Sequence, residues 1–228
     1  GLEFMLFNFG QLVIVRMLNT LDGMAVGVFN VVKGIQMAAL FVYIGFARST
    51  LTLVGQRLGA RDPRGAHLVT MSALRISLGI SLVAACGILL FPREILSWFS
   101  PALSPFATEA LGIPLGIPVF ITRGLPLMLI IAATLFPQAV NVITGHAIRA
   151  MKDTRWMLYT QIGGTVFAIS AAALGIFGLA GGLAFVFWVY FADESLRSIV
   201  NYLRFRFGRR FFIPGKSAPE VPAPVETP

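Results

Sequence analysis

Two long apolar segments of this chain are joined by the short basic stretch GQRLGARDPRGA, residues 55–66. Its three glycines predict a tight turn of the backbone. Asp62 and Pro63 predict that a helix begins here, because Asp caps helices and Pro suits the first helical position. The three arginines of the stretch predict that it lies on the cytoplasmic side of a membrane.

The composition is typical of a membrane protein. Hydrophobic residues make up 57% of the 228 residues and charged residues only 12%. The net charge of +8 is spread over predicted inner loops and the tail, so it does not indicate a nucleic-acid surface. The single cysteine, Cys86, rules out a disulfide framework and a cysteine-based metal site within this sequence. The motifs HExxH and GxSxG and a Walker sequence are absent from it, so we do not expect an enzyme.

Six apolar segments of the chain are each long enough to cross a bilayer, which takes about 20 residues. They cover residues 2–21, 25–54, 67–91, 127–148, 156–177 and 183–202. Basic residues are concentrated in three of the intervening regions, which predicts that both ends of the six-span unit are cytoplasmic. Five prolines between Pro101 and Pro126 indicate an outer connection that partly dips into the membrane. Residues 213–228 are Pro-rich and predict a disordered cytoplasmic tail.

The loop sequences resemble those of the multidrug and toxic compound extrusion (MATE) transporters. Residues 52–56, Thr-Leu-Val-Gly-Gln, and residues 58–60, Leu-Gly-Ala, match a loop that recurs in each half of those proteins. A degenerate second match lies at residues 148–155, where Ala150 and Lys152 replace glycines of the family pattern. The matched loop residues are Gly55, Gln56, Gly59, Ala60, Arg149, Asp153 and Arg155. Of the loop glycines, we expect Gly59 to tolerate a larger side chain least and Gly65 to be less sensitive.

The resemblance implies an all-α membrane protein whose six transmembrane helices form one lobe of a two-lobe transporter. The C-terminal lobe fits best, because the chain ends in a basic tail rather than in a linker. The expected location is the bacterial inner membrane. The expected partners are membrane lipids, a small organic substrate and an N-terminal six-helix lobe or pairing subunit, with no nucleic acid. No cofactor is expected beyond a transmembrane H⁺ or Na⁺ gradient.

Polar side chains form one stripe on each of three predicted spans, within roughly 80 to 100° at 100° per residue. Because polar groups are costly in hydrocarbon, such stripes predict a shared hydrated cavity. The alternative is hydrogen bonding between helices. The cavity-lining candidates are Asn8, Gln11 and Asn19 on the first span, Gln36 and Tyr43 on the second, and Thr134, Gln138 and Asn141 on the fourth.

Glu3 matches a family glutamate implicated in cation or proton coupling, and the alternative is a carboxylate at the inner edge of the membrane. The resemblance also places Gln138 where some sodium-coupled members carry an acid, so a sodium site in this lobe is in doubt. Lys33 and Arg16 are expected to reach the outer interface, and the alternative is that they contact the substrate. Beyond Glu3, no other well-placed carboxylate is expected on the polar stripes.

The resemblance implies a cation-coupled antiporter that exports organic, often cationic, drugs or toxic compounds by alternating access. One alternative is a flippase for lipid-linked precursors from the same superfamily, which a lateral groove lined with arginines would favour. The other is a non-transporting half that works only with a partner lobe.

Overall fold

The computed structural model describes residues 2–21, 23–99, 117–179 and 181–208, and every regular element in these ranges is helical. A π-helical turn, Leu174–Gly178, continues the sixth helix. The helices are α1 (Leu2–Leu18), α2 (Gly23–Gly59), α3 (Pro63–Leu90), α4 (Pro92–Phe99), α5 (Ile117–Ala150), α6 (Thr154–Ala173) and α7 (Leu183–Phe207).

Four segments of the described chain are long and apolar enough to cross a membrane. They are Ala25–Gly59, Pro63–Leu90, Ile121–Ala150 and Thr154–Gly178. Helix α1 is apolar over the shorter range Met5–Leu18. Helix α7 has 25 residues but carries Asp193, Glu194 and Arg197 in its middle. Two of the six predicted spans, those that correspond to α1 and α7, are therefore not among these four segments.

Two predicted boundaries change in the structure. Helix α2 continues to Gly59 and α3 begins at Pro63, so the turn between them is three residues long. Helix α5 begins at Ile117 and contains Pro126. The prediction of an outer connection as far as Pro126 is therefore wrong over its last ten residues. Pro126 lies inside the helix, because an interior proline of a membrane helix removes one backbone hydrogen bond without necessarily ending the helix. The remainder of that connection and the Pro-rich tail lie outside the described residues.

Two turns were predicted to be cytoplasmic and are called the first inner turn (residues 57–66, between α2 and α3) and the second inner turn (residues 148–155, between α5 and α6). Local polar contacts stabilise the first inner turn. The Asp62 carboxylate accepts a hydrogen bond from the Gly65 N–H at 2.8 Å and caps α3, while the Arg57 guanidinium lies 3.3 Å from it. The residue in the left-handed region is Arg61, with φ 56°. Gly55 and Gly59 belong to α2, and a Cβ at either would meet nothing within 4 Å. The predicted role of these two glycines in a tight turn is therefore corrected.

Helix α5 lies at the centre of the bundle and packs against α2, α3 and α7, while α1 packs against α6. The main apolar core joins α1, α2, α5 and α7 around Leu18, Phe29, Leu135 and Phe187. This arrangement places the inner faces of five helices around one space, where the polar side chains collect.

Candidate functional site

A cavity of about 230 Å³ lies between α1, α2, α5, α6 and α7. Part of its wall is apolar, with Ile14, Met37 and Leu40 among the lining residues. The rest of the wall is polar or charged. A polar cavity inside an apolar bundle is where a membrane protein can hold water, ions or a polar ligand.

Helix α7 supplies most of the charge. Asp193, 6% exposed, accepts a hydrogen bond from Arg197 Nε at 2.8 Å, one helical turn further along. Arg197 Nη1 also donates to Gln161 Oε1 on α6 at 2.7 Å. Gly164 on α6 allows this approach, because a Cβ there would overlap the Arg197 guanidinium. The hydrogen bond from Arg197 to Gln161 thus ties α7 to α6 at the edge of the cavity.

A chain of hydrogen bonds leads from the carboxylate of Glu194, which follows Asp193 on α7, toward the second inner turn. Asn141 Nδ2 donates to Glu194 Oε2 at 2.8 Å, and Asn201 Nδ2 donates to Asn141 Oδ1 at 2.8 Å. Trp156 Nε1 in turn donates to Asn201 Oδ1 at 3.1 Å. The Arg204 guanidinium lies over the Trp156 ring. The cavity is therefore linked to the second inner turn through side chains of α5, α6 and α7.

Lys33 provides a buried positive charge on the α2 side. It is 9% exposed and donates to Gln36 Oε1 at 2.8 Å, and its Nζ lies 4.0 Å from the centroid of the Tyr190 ring. The Tyr190 hydroxyl donates to Gln11 Oε1 at 2.9 Å. The expectation that Lys33 reaches the outer interface is therefore wrong, because an aromatic face and an amide oxygen hold its ammonium inside.

A sequence profile of the MatE family matches residues 1–174. The chain belongs to the MatE family. It is 23% identical over 202 residues to the "Uncharacterized transporter YisQ" of Bacillus subtilis, an alignment that covers 88% of this chain and 41% of that protein. It is 28% identical over 131 residues to the "Probable multidrug resistance protein NorM" of Caulobacter vibrioides, covering 57% and 24% of the two chains.

The fold is similar to those of solved transporter structures. A transporter from Pyrococcus furiosus, described as a MOP superfamily member with reverse polarity of its binding pocket, superposes with a TM-score of 0.79 at 17% identity. The match covers 92% of this chain and 44% of that one. The chain thus spans less than half the length of these relatives. It is an all-α integral membrane protein with the fold of one MatE lobe, and MatE proteins are transporters rather than enzymes.

The MatE lobe brings together three of the eight predicted cavity residues, Gln11, Gln138 and Asn141. Gln36 lies one contact away, bound to Lys33. The other candidates lie elsewhere: Tyr43 hydrogen-bonds Ser81 on α3, Thr134 donates to its own helix at Ile130, and Asn8 and Asn19 are exposed. Glu3 belongs to α1, and its side chain lies outside what the structure describes.

The loop residues matched to the MatE pattern divide between the two inner turns. Arg149 lines the inner end of the cavity, and Asp153 accepts hydrogen bonds from Arg204 Nη2 at 2.8 Å and Nε at 3.1 Å. Gln56, Ala60 and Arg155 are exposed. These residues shape the inner surface of the lobe, and of them only Arg149 borders the cavity.

The sequence reasoning missed Asp193 and Glu194, and the expectation of no further carboxylate beside the cavity is wrong. Both line it from α7, for which the sequence analysis predicted no polar stripe. The available signal was the run Asp-Glu-Ser-Leu-Arg at residues 193–197, since three charges in a membrane helix are costly and mark a functional interior.

Gln138 lines the cavity and has one buried polar atom that is not paired within the described part of the chain. It is 5% exposed, and its Oε1 is buried with no hydrogen-bond partner among the described residues. Buried amide oxygens are normally paired, so this atom is available to a donor or cation in the cavity. No group of three His, Cys, Asp or Glu side chains in the described ranges is arranged to hold a metal ion.

Proposed function

We propose that this chain forms the C-terminal lobe of a MatE antiporter, which exports organic, often cationic, compounds by alternating access. The transport is driven by an H⁺ or Na⁺ gradient. The protein lies in the bacterial inner membrane, with both ends of the lobe on the cytoplasmic side. The family match and the relative named as a multidrug resistance protein support the antiporter class.

The observation that carries this proposal is the pair of adjacent carboxylates, Asp193 and Glu194, beside a cavity within an apolar bundle. A carboxylate in such a place can exchange a proton for a cation, because its charge needs a partner where water is scarce. Asp193 already has Arg197 as a partner, whereas Glu194 is held by the neutral amide of Asn141. Glu194 is therefore the better candidate for exchange, alongside Glu3.

The test uses the full-length protein in proteoliposomes with an imposed pH or Na⁺ gradient and a cationic dye. We expect Glu194→Gln to lower gradient-driven efflux at least about tenfold, since a neutral amide cannot exchange a proton for a cation. Glu3→Gln tests the second candidate in the same way. Glu94→Gln on α4 removes an exposed carboxylate and is the matched control.

Normal efflux by well-expressed Glu194→Gln and Glu3→Gln proteins would show that neither carboxylate couples transport to the ion gradient. Lys33, Arg149 and Arg197 also line the cavity, and such cations would suit a phosphate-bearing lipid precursor. Translocation of a lipid-linked precursor without dye efflux would favour the flippase alternative. Failure of both assays without an added partner lobe, with recovery when it is supplied, would favour the non-transporting half.

A further inference from the structure

The surroundings of the Lys33 ammonium have the chemistry of a receptor for an external cation. The face of the Tyr190 ring lies 4.0 Å from Nζ, and Gln36 Oε1 accepts a hydrogen bond from it. Glu194 and Asp193 line the same cavity from α7. Aromatic faces, carbonyl oxygens and nearby carboxylates are the groups that proteins use to bind organic ammonium ions.

Lys33 is not fixed there by a direct salt bridge. In the described part of the chain, Asp193 is paired with Arg197 and Glu194 accepts from Asn141, while the ammonium has a single hydrogen bond, to an amide on its own helix. A lysine stem has four rotatable bonds, and its ammonium can leave such a site without breaking an ion pair. The groups that surround the ammonium can therefore stay in place when Lys33 moves away.

We propose that the cavity contains an organic-ammonium subsite formed by the Tyr190 ring, Gln36 and the two carboxylates of α7, and that Lys33 fills it as a tethered ligand. The subsite takes the charged end of a primary ammonium with a narrow aliphatic stem, because that is the shape of the group inside it. A transported cation binds there only after Lys33 withdraws. This inference rests on the proposed export of organic cations and names where their charged end is held.

A purely structural role for Lys33 makes a different prediction. If the lysine only neutralises acidic charge, then any added cation compensates for its loss by screening, with no dependence on shape. If the lysine fills a shaped subsite, then the missing side chain is replaced by a molecule of the same shape and charge. Chemical rescue separates the two cases.

The test measures thermal unfolding of the full-length protein in detergent, with and without small amines. Lys33→Ala removes three carbons of the stem and the ammonium, and n-propylammonium replaces them. We expect n-propylammonium to raise the unfolding temperature of Lys33→Ala saturably, by about 2–5 °C at 100 times its Kd. The neutral isostere n-propanol gives no such shift, and neither does n-propylammonium with the wild-type protein.

A second variant covers the case in which Lys33→Ala does not fold. Lys33→Met keeps the stem as far as its last carbon and leaves room only for the charged nitrogen, so the ammonium ion rescues it and n-propylammonium does not. Arg16→Ala removes one exposed positive charge from α1 and shows no rescue by either cation. Adding Tyr190→Leu to either Lys33 variant abolishes the rescue, because the aromatic face is lost.

The subsite is overturned if n-propanol stabilises Lys33→Ala as well as n-propylammonium does, or if Arg16→Ala responds like the Lys33 variants. It is also overturned if a folded Lys33→Met protein gives no shift with the ammonium ion. The readout is binding and not transport. Rescue without gradient-driven efflux would refute the proposed function alone, and efflux without rescue would refute the subsite alone.

Discussion

The two inner turns of the lobe have the same backbone and different partners. In the first turn the N–H groups of Ala60, Arg61 and Asp62 donate to carbonyls four, three and five residues earlier, and Met151, Lys152 and Asp153 repeat this pattern 91 residues later. Arg61 and Lys152, with φ 56° and 62°, occupy the same left-handed position. Each turn then ends in an aspartate that precedes the next helix.

The side chains of the two turns reach different distances. Asp62 binds Gly65 and Arg57 within its own turn. Asp153 makes no such cap and instead binds Arg204 on α7, beside the chain from Trp156 through Asn201 to the cavity. The first turn is therefore held by contacts within itself, whereas the second turn is also held by a contact with α7. The same backbone serves both purposes because the turn needs only an αL residue and a helix start.

The largest expected effect lies in the long-range chain. Asn201 is fully buried, and Asn201→Leu leaves Trp156 Nε1 and Asn141 Oδ1 without partners. We expect a loss of about 2–4 kcal/mol in the free energy of unfolding, since each orphaned group costs about 1–3 kcal/mol. Arg57→Ala in the first turn removes only an exposed ion pair and should cost less than about 1 kcal/mol.

Denaturant titration of the full-length protein in detergent measures both variants. If Asn201→Leu unfolds at the wild-type midpoint, the contacts between the second turn and α7 contribute nothing to stability, and the two turns do not differ in this respect.

The next effect sharpens the account of the first turn. A Cβ at Gly65 would overlap the Asp62 carboxylate, whereas a Cβ at Gly59 meets open space. Gly65→Ala should therefore lose about 1 kcal/mol with the cap. Gly59→Ala should gain up to about 1 kcal/mol, because alanine favours a helix. Thermal unfolding of the two variants side by side checks the order, which reverses the expectation from sequence. Equal sensitivity would mean that the cap contributes nothing.

The smallest effect tests whether the two backbones are alike. Glycine suits the left-handed region better than any side chain, so Arg61→Gly and Lys152→Gly should each stabilise the protein by about 0.5–1 kcal/mol. The two gains should agree within about 0.3–0.5 kcal/mol and add in the double variant, because the sites share no partner. Thermal unfolding provides the measurement. A gain at Arg61 with a loss at Lys152 would show that the turns differ in strain.

The sequence predicted the local chemistry well and the lateral contacts poorly. Asp62 as a cap and Pro63 as the first helical residue followed from residue type alone, because the contacts that decide them lie within four residues. The predicted stripes contain Gln11, Gln138 and Asn141, which line the cavity in the structure. Tyr43 shares a stripe with Gln36 yet binds Ser81 on α3, because a stripe about 100° wide touches two neighbouring helices. Periodicity does not say which neighbour each residue faces.

The charged face of α7 was missed for a different reason. Asp193, Arg197 and Gln161 form one cluster only because Gly164 lets α6 and α7 approach closely. Nothing local to residues 193–197 specifies that approach. The available signal was the number of charges in an apolar segment, because each charge within a membrane needs a partner.

The lengths of α2 and α5 have a practical consequence. Their 37 and 34 residues make rods of roughly 50–55 Å at 1.5 Å per residue, and a hydrocarbon layer of about 30 Å covers only part of them at ordinary tilt. On α2 the exposed side chains include Phe41 and Val42 in the middle and Ser49, Thr52 and Gln56 toward the turn that follows, so we expect the surplus length to project into water at that end. The first turn follows α2 and the second follows α5, and both helices line the cavity. An antibody fragment raised against either turn would therefore bind at the end of a helix that forms a wall of the cavity.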